Sequence, residues 1–158
     1  MLIYFYAKSS ASQRIVSPYS LGRLLQGLGF LLILLRGQMP YLATKNLGNT
    51  LLLCGFGLEC LAGLILSNRA RLWPLLLLLL AGAVTAFNIV ALTGGSAADL
   101  VMVASFGVAV LVALNGVVFI FPTGPGSPLL LWIGIADLTV AAANLARGVT
   151  ALVLAEFS

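Results

Sequence analysis

Apolar residues in this chain follow neither the alternation of a half-buried strand nor the stripe of a surface helix. They run on for about 20 residues at a time and stop at breaker signals, the length at which a helix crosses the hydrocarbon core of a bilayer. Five such runs are predicted, at residues 20–36, 47–67, 72–93, 99–121 and 128–155. The first, SLGRLLQGLGFLLILLR, is short and carries Arg23 and Gln26, which makes it the weakest crossing. The second closes at the charged joint SNRAR, and the third opens on Trp73-Pro74, where a first helical turn accepts proline. The third ends in LTGGSAAD, whose Ser96 or Asp99 is placed to cap the fourth helix. The fourth stops at FPTGPGSP, through which no helix continues. Short joints make consecutive helices antiparallel neighbours. The expected fold is therefore all-α, a polytopic integral membrane helical bundle of about five transmembrane helices, with residues 20–158 as its single domain. Residues 1–19 are expected to form an N-terminal interfacial segment, because MLIYFYA is too short to cross and SSASQR is polar.

Composition agrees with lipid as the solvent. Of 158 residues, 61% are hydrophobic and 8% charged, against roughly a quarter charged in an ordinary soluble domain. Mean hydropathy is +1.15. The spans leave no length for a separate soluble catalytic domain. The chain contains no histidine, which excludes histidine-ligated haem or chlorophyll, histidine zinc sites and nucleophiles that need an imidazole base. The last helix lacks the lysine of a retinal Schiff base. Serine and threonine residues have no base nearby, since Lys8 and Lys45 stand at the ends of spans. Thr93-Gly94-Gly95 and Pro122-Thr123-Gly124 lack the lysine of a phosphate loop. The chain is accordingly expected to be no enzyme, with no catalytic residues, no metal site, no cofactor and no nucleic-acid partner. Contact with lipid, quinone or carotenoid stays open, because apolar side chains do not distinguish one hydrophobic molecule from another. Cys54 and Cys60 lie about 240° apart around one helix and cannot bridge each other within it, so both read as small buried hydrophobes. The N-terminus has a short apolar patch ahead of its charges, the reverse of a cleavable signal peptide.

Charge then sets an orientation. With five crossings, the N-terminal segment shares a side with the second-to-third and fourth-to-fifth joints. That side carries Lys8, Arg14, Arg23, Arg69 and Arg71, whereas the other carries Arg36 and Lys45 with Asp99 and Glu156. The positive-inside rule puts the N-terminus in the cytoplasm and the C-terminus outside, in an expected bacterial inner membrane. Trp73, Trp132 and Tyr19 then fall near the cytoplasmic interface and Tyr41 near the other.

Polar residues inside spans are the candidate sites. Arg23, Gln26, Glu59, Asn115 and Asp137 fall in the cytoplasmic half, roughly 3–8 Å from the midplane at 1.5 Å per residue, and Asn88, Asn144 and Arg147 in the other half. An ionised group at the bilayer centre costs at least about 2.5–3.5 kcal/mol, so each should face protein or water, and two layers of polar contacts are predicted. Glu59 stands in a row of Gly55, Glu59, Gly63 and Ser67 that admits a neighbouring backbone and brings hydrogen-bond donors close. It reads either as a fastener paired with Arg23 or Gln26, or as a proton or cation site. Asp137, Asn144 and Arg147 share an arc of roughly 80° on the last helix, but Asp137 and Arg147 are about 15 Å apart along it and cannot pair directly. Their partners must come from other helices or another subunit: for Arg147, an interhelical hydrogen bond to Asn88 or a backbone carbonyl, or else an anion or headgroup.

The features Leu35-Arg36-Gly37, Pro40, Asn49-Thr50-Leu51-Leu52 and Gly55, within the stretch from Leu21 to Glu59, follow the order of a known pattern. A span ends in Leu-Arg-Gly, a short loop with proline follows, and an Asn-Thr-Leu-Leu run leads to glycine. In this the chain resembles the multi-helix membrane sensor regions that precede diguanylate cyclase domains in bacteria, and Arg147 within NLARGVTAL is similar to an arginine in their last span. Those regions have a further span before this point, whose end MLIYFYAKSS would fit, and another leading into the cyclase. These residues include no cyclase, so the resemblance implies a membrane module that senses or docks, without cyclase activity.

The expected function is a non-enzymatic integral membrane subunit, a scaffold, accessory or sensory module that packs against other membrane protein subunits in a complex. The alternative is a small proton- or cation-coupled membrane transporter using Glu59 and Asp137, which requires a cavity reaching those carboxyl groups. No internal repeat or broken span supports that alternative.

Overall fold

Hydrocarbon offers a backbone no hydrogen bonds, so a chain this apolar has to satisfy its amides internally, and every secondary-structure element among the described residues is helical. The structure, a computed structural model, describes residues 2–35, 38, 43–121 and 127–156, with side chains between Val16 and Val153, Ala43 apart. Arg36, Gly37, Pro40 and Tyr41 lie outside the described residues. Helix α1 runs over Leu2–Leu34. A π-helical turn, Ala43–Leu47, leads into α2, Gly48–Leu66, and a tighter turn, Ala70–Leu72, leads into α3, Trp73–Leu92. Helices α4, Ala97–Ile120, and α5, Pro128–Glu156, complete the bundle.

Among the described residues, four stretches are long and apolar enough to cross a membrane: Thr44–Leu66, Ala70–Leu92, Ala97–Ile120 and Pro128–Val153. The protein is thus an integral membrane helical bundle, with one strongly apolar crossing fewer than expected. The difference is α1, whose apolar half is interrupted by Arg23 and Gln26. The helix starts at Leu2 and continues through Pro18, so residues 2–19 are helical and continuous with the first apolar run. Apolar run length marks where a helix can face lipid, but Ala, Lys, Gln and Arg are also good helix formers, and a polar extension gives no such signal.

The helix ends follow local chemistry. Ser96 caps α4: its Oγ accepts from the Asp99 N–H at 3.1 Å, while Asp99 Oδ2 accepts from the Ser96 N–H at 2.8 Å. Pro74 sits in the first turn of α3, where no N–H is missed. After α2, Asn68 turns left-handed at φ 58°, a conformation asparagine tolerates, and the Arg69 N–H closes back on Leu64 O at 2.7 Å. The Arg69 guanidinium donates to Phe121 O at the end of α4, which places the second-to-third joint beside the fourth-to-fifth.

Two helix pairs are exceptionally close. A Cβ added to Gly22 would lie 2.8 Å from Gly55 O, and one added to Gly55 would lie 2.7 Å from Gly22 O. Farther along, a Cβ on Gly29 would meet Gly48 O at 2.7 Å. Antiparallel α1 and α2 are therefore keyed at two points seven residues apart on each helix, the spacing of a left-handed supercoil. Helices α4 and α5 meet the same way, each of Gly116 and Gly134 leaving space that the other's carbonyl fills, at 2.9 and 2.8 Å. The pairs join where α2 faces α4, with α3 touching both, around a core that includes Leu53, Leu64, Phe87, Leu111 and Val118. Helices α1 and α5 do not touch among the described residues, which leaves a groove between them floored by α2 and α4.

Gly55→Val should put two methyl groups and a Cβ where backbone oxygen now sits. Overpacking ordinarily costs about 1–3 kcal/mol, and here the obstacle is main chain, which cannot swing aside. Unfolding of the variant in mixed micelles should show a loss at or above that range, whereas Gly82→Ala, whose Cβ meets nothing within 4 Å, should cost nothing and gain up to about 1 kcal/mol from helix propensity.

Candidate functional site

Glu59 lies on the row that Gly55 begins. Because Gly55 admits the α1 backbone, Gln26 of α1 arrives beside Glu59 and donates from Nε2 to its Oε2 at 2.8 Å. Arg23, one turn earlier on α1, brings Nε to 2.5 Å from the other carboxylate oxygen. That approach is charge against charge rather than an aligned hydrogen bond, since the Arg23 Nε–H is directed at Tyr19 Oη, 3.3 Å away, and Glu59 Oε1 accepts no hydrogen bond. Arg23 Nη1 donates to Gln26 Oε1 at 3.4 Å, and its guanidinium stands 5.4 Å from the Tyr19 ring centroid, within cation–π range. The arginine side chain is 58% exposed and that of Glu59 13%, so the pair runs from the bundle interior to its flank.

Gly63, next on the row, makes room for a second contact. Asn115 of α4 places its Oδ1 in the volume a Cβ at Gly63 would occupy. Asn115 Nδ2 donates to Asp137 Oδ2 of α5 at 2.8 Å. The donor must be the nitrogen, since the facing atom is a carboxylate oxygen. Asn115 Oδ1 is buried without a hydrogen-bond partner. Both carboxyl groups thus face one cavity of about 370 Å³, between the two helix pairs, that Tyr19, Arg23 and Asn115 also line. The five polar residues assigned by sequence to one half of the membrane are brought together here. A single guanidinium faces two carboxyl groups, so the described set carries one excess negative charge unless a proton or cation joins it.

The three residues assigned to the other half do not form one layer. Asn88 Nδ2 donates to Thr50 Oγ1 at 3.2 Å and to Val84 O at 2.9 Å, fastening α3 to α2 away from the last helix. Asn144 donates to Val140 O on its own helix at 2.9 Å, and Arg147 is exposed. Asn144 and Arg147 instead line a second cavity of about 390 Å³ together with Thr44, Lys45, Asn49 and Ser105. None of these four was a candidate site by sequence, where Lys45 figured only as a charge at a span end and Asn49 only in the resemblance to sensor regions. Lys45 looked like a loop residue because the π-helical turn that draws it inward has no apolar signature, and a lone mid-span Ser105 resembles any helical serine. Cys54 and Cys60 are free, and Cys60 Sγ donates to Leu111 O at 3.6 Å across the α2–α4 contact. Among the described residues no group of three or more Cys, Asp and Glu is placed to hold a metal ion.

Comparison of the chain with protein families, characterised proteins and solved structures gives no match.

If the two polar contacts fasten helices, they should show as coupling. A double-mutant cycle on Gln26→Ala and Glu59→Ala, read by unfolding in mixed micelles, should give about 0.6–2 kcal/mol, the range of interhelical hydrogen bonds in membranes. A cycle on Gln26→Ala and Asn88→Ala, whose partners differ, should give a value near zero.

Proposed function

We propose that the chain is a non-enzymatic membrane subunit, a scaffold, accessory or sensory module, whose α1–α5 groove packs against another integral membrane protein. The observation that carries this reading is the groove itself. It presents the Arg23 guanidinium and, through the cavity behind it, Asp137 at a depth where acyl chains satisfy neither group. A partner helix carrying an amide or hydroxyl side chain, which both donates and accepts, would meet both needs. The remaining polar contacts of the spans are hydrogen bonds between or within helices, the arrangement of a structural bundle rather than of a reaction centre. In this reading the N-terminus is cytoplasmic and the membrane is the bacterial inner membrane, as the Arg69 and Arg71 joint suggests.

A second reading is a proton- or cation-coupled transporter. One observation favours it: Glu59 and Asp137 share a cavity with one guanidinium, so the set has a vacancy for one positive charge.

Photo-crosslinking from Leu130, on the wall of that cavity, in native membranes should capture one recurrent membrane protein, and the chain should purify in mild detergent as part of a larger particle. A monomer that crosslinks only to lipid overturns the subunit reading. For the second reading, Glu59→Gln should abolish proton-coupled flux in reconstituted vesicles, and flux unaltered by that change removes it.

A further inference from the structure

The cavity at the other end of the groove has a different chemistry. Its polar wall carries Lys45, Arg147, Asn49 and Asn144, two cations and two amides, and no carboxylate among the described residues. Lys45 is 4% exposed, so its ammonium belongs to the interior rather than to a solvated loop. The amide nitrogens of Asn49 and Asn144 each spend one hydrogen on the carbonyl four residues back, Lys45 O in the preceding π-helical turn at 2.7 Å and Val140 O at 2.9 Å, and each carries a second. Helix α4 opens on the same wall at Ala97, its positive dipole end directed there, while Asp99 in its first turn is turned back onto Ser96.

Deeper in, the wall becomes apolar, with Phe30, Phe56 and Val108. Ser105 interrupts it. Ser67, Thr93, Thr139 and Thr150 each donate their hydroxyl to the carbonyl four residues back, the usual resort of a hydroxyl on a helix. Ser105 does not: it is 2% exposed, on the cavity wall, and its Oγ has no hydrogen-bond partner. From Ala97 to Val108 the wall follows α4 for about 16 Å at 1.5 Å per residue, half of the roughly 30 Å hydrocarbon core. The cavity is cationic at the end formed by Lys45 and Arg147, apolar beyond it, and about as long as one leaflet is thick. Its volume of about 390 Å³ lies within the range of ligand sites, roughly 300–1,000 Å³.

We infer that this cavity binds one anionic phospholipid of that leaflet, its phosphate between Lys45 and Arg147 and one acyl chain along Phe30, Phe56 and Val108 with its ester oxygen toward Ser105. The inference does not depend on a protein partner at the opposite end of the groove, so either can fail alone.

The test is native mass spectrometry of the full chain in mild detergent, with phosphatidylglycerol and phosphatidylcholine offered in equal amounts. One phosphatidylglycerol should be retained preferentially. A basic residue contributes about fivefold to anionic-lipid affinity, so Arg147→Gln, at an exposed position, should lower the preference by about that factor. Ser105→Leu, which fills the wall, should abolish retention of either lipid while the helical content by circular dichroism stays unchanged. If that variant does not fold, Arg147→Gln decides alone. Equal retention of the two lipids, or an undiminished preference in Arg147→Gln, overturns the inference. Stabilisation by inorganic phosphate alone, without lipid preference, overturns it in favour of a free anion.

Discussion

Lipid tails are as apolar as leucine, so pressing leucine against leucine inside a membrane gains little over leaving both in lipid, and association there depends on how closely backbones approach. In this bundle the approach is set by glycine against carbonyl oxygen, at Gly22 with Gly55, Gly29 with Gly48, and Gly116 with Gly134. The polar contacts are placed by these meetings. Arg23 and Gln26 stand beside and one turn beyond Gly22, and Glu59 one turn beyond Gly55. Asn115 adjoins Gly116, and Asp137 lies one turn from Gly134. Fixing the glycine contacts leaves each carboxyl group within hydrogen-bond reach of an amide on the neighbouring helix, at 2.8 Å in both cases.

The two pairs communicate through Gly63. Without a side chain there, Asn115 reaches into α2 while holding Asp137 of α5, so one asparagine ties the α4–α5 pair to the α1–α2 pair. The bundle is thus two rigid hairpin-like units joined along α2 and α4 and open between α1 and α5. The groove's ends differ in charge, with two carboxyl groups and one guanidinium at one and two cations at the other.

Four of the five helices were legible within a few residues, because hydropathy, Pro74, Ser96 and the proline- and glycine-rich joint before α5 all mark boundaries directly. The start of α1 was not, since a polar helical extension has no lipid-facing signature. The members of the Glu59 and Asp137 cluster could be named from sequence, because each interrupts an apolar run and Gly55 and Gly63 flag a close approach around Glu59. The partner of Asp137 could not, as pairing across a bundle depends on rotation of each helix about its axis, which composition does not encode. For the same reason the last-helix stripe was read as one unit, whereas Asp137 serves one cavity, and Asn144 and Arg147 the other.

The paired notches of α1 and α2 bear on how that hairpin can move. Sliding one rod along the other lifts both notches off their oxygens at once, and the next register that sets one of these four glycines against another lies about 10.5 Å away at 1.5 Å per residue. Axial piston travel of α1 against its neighbour is therefore blocked for any small stroke.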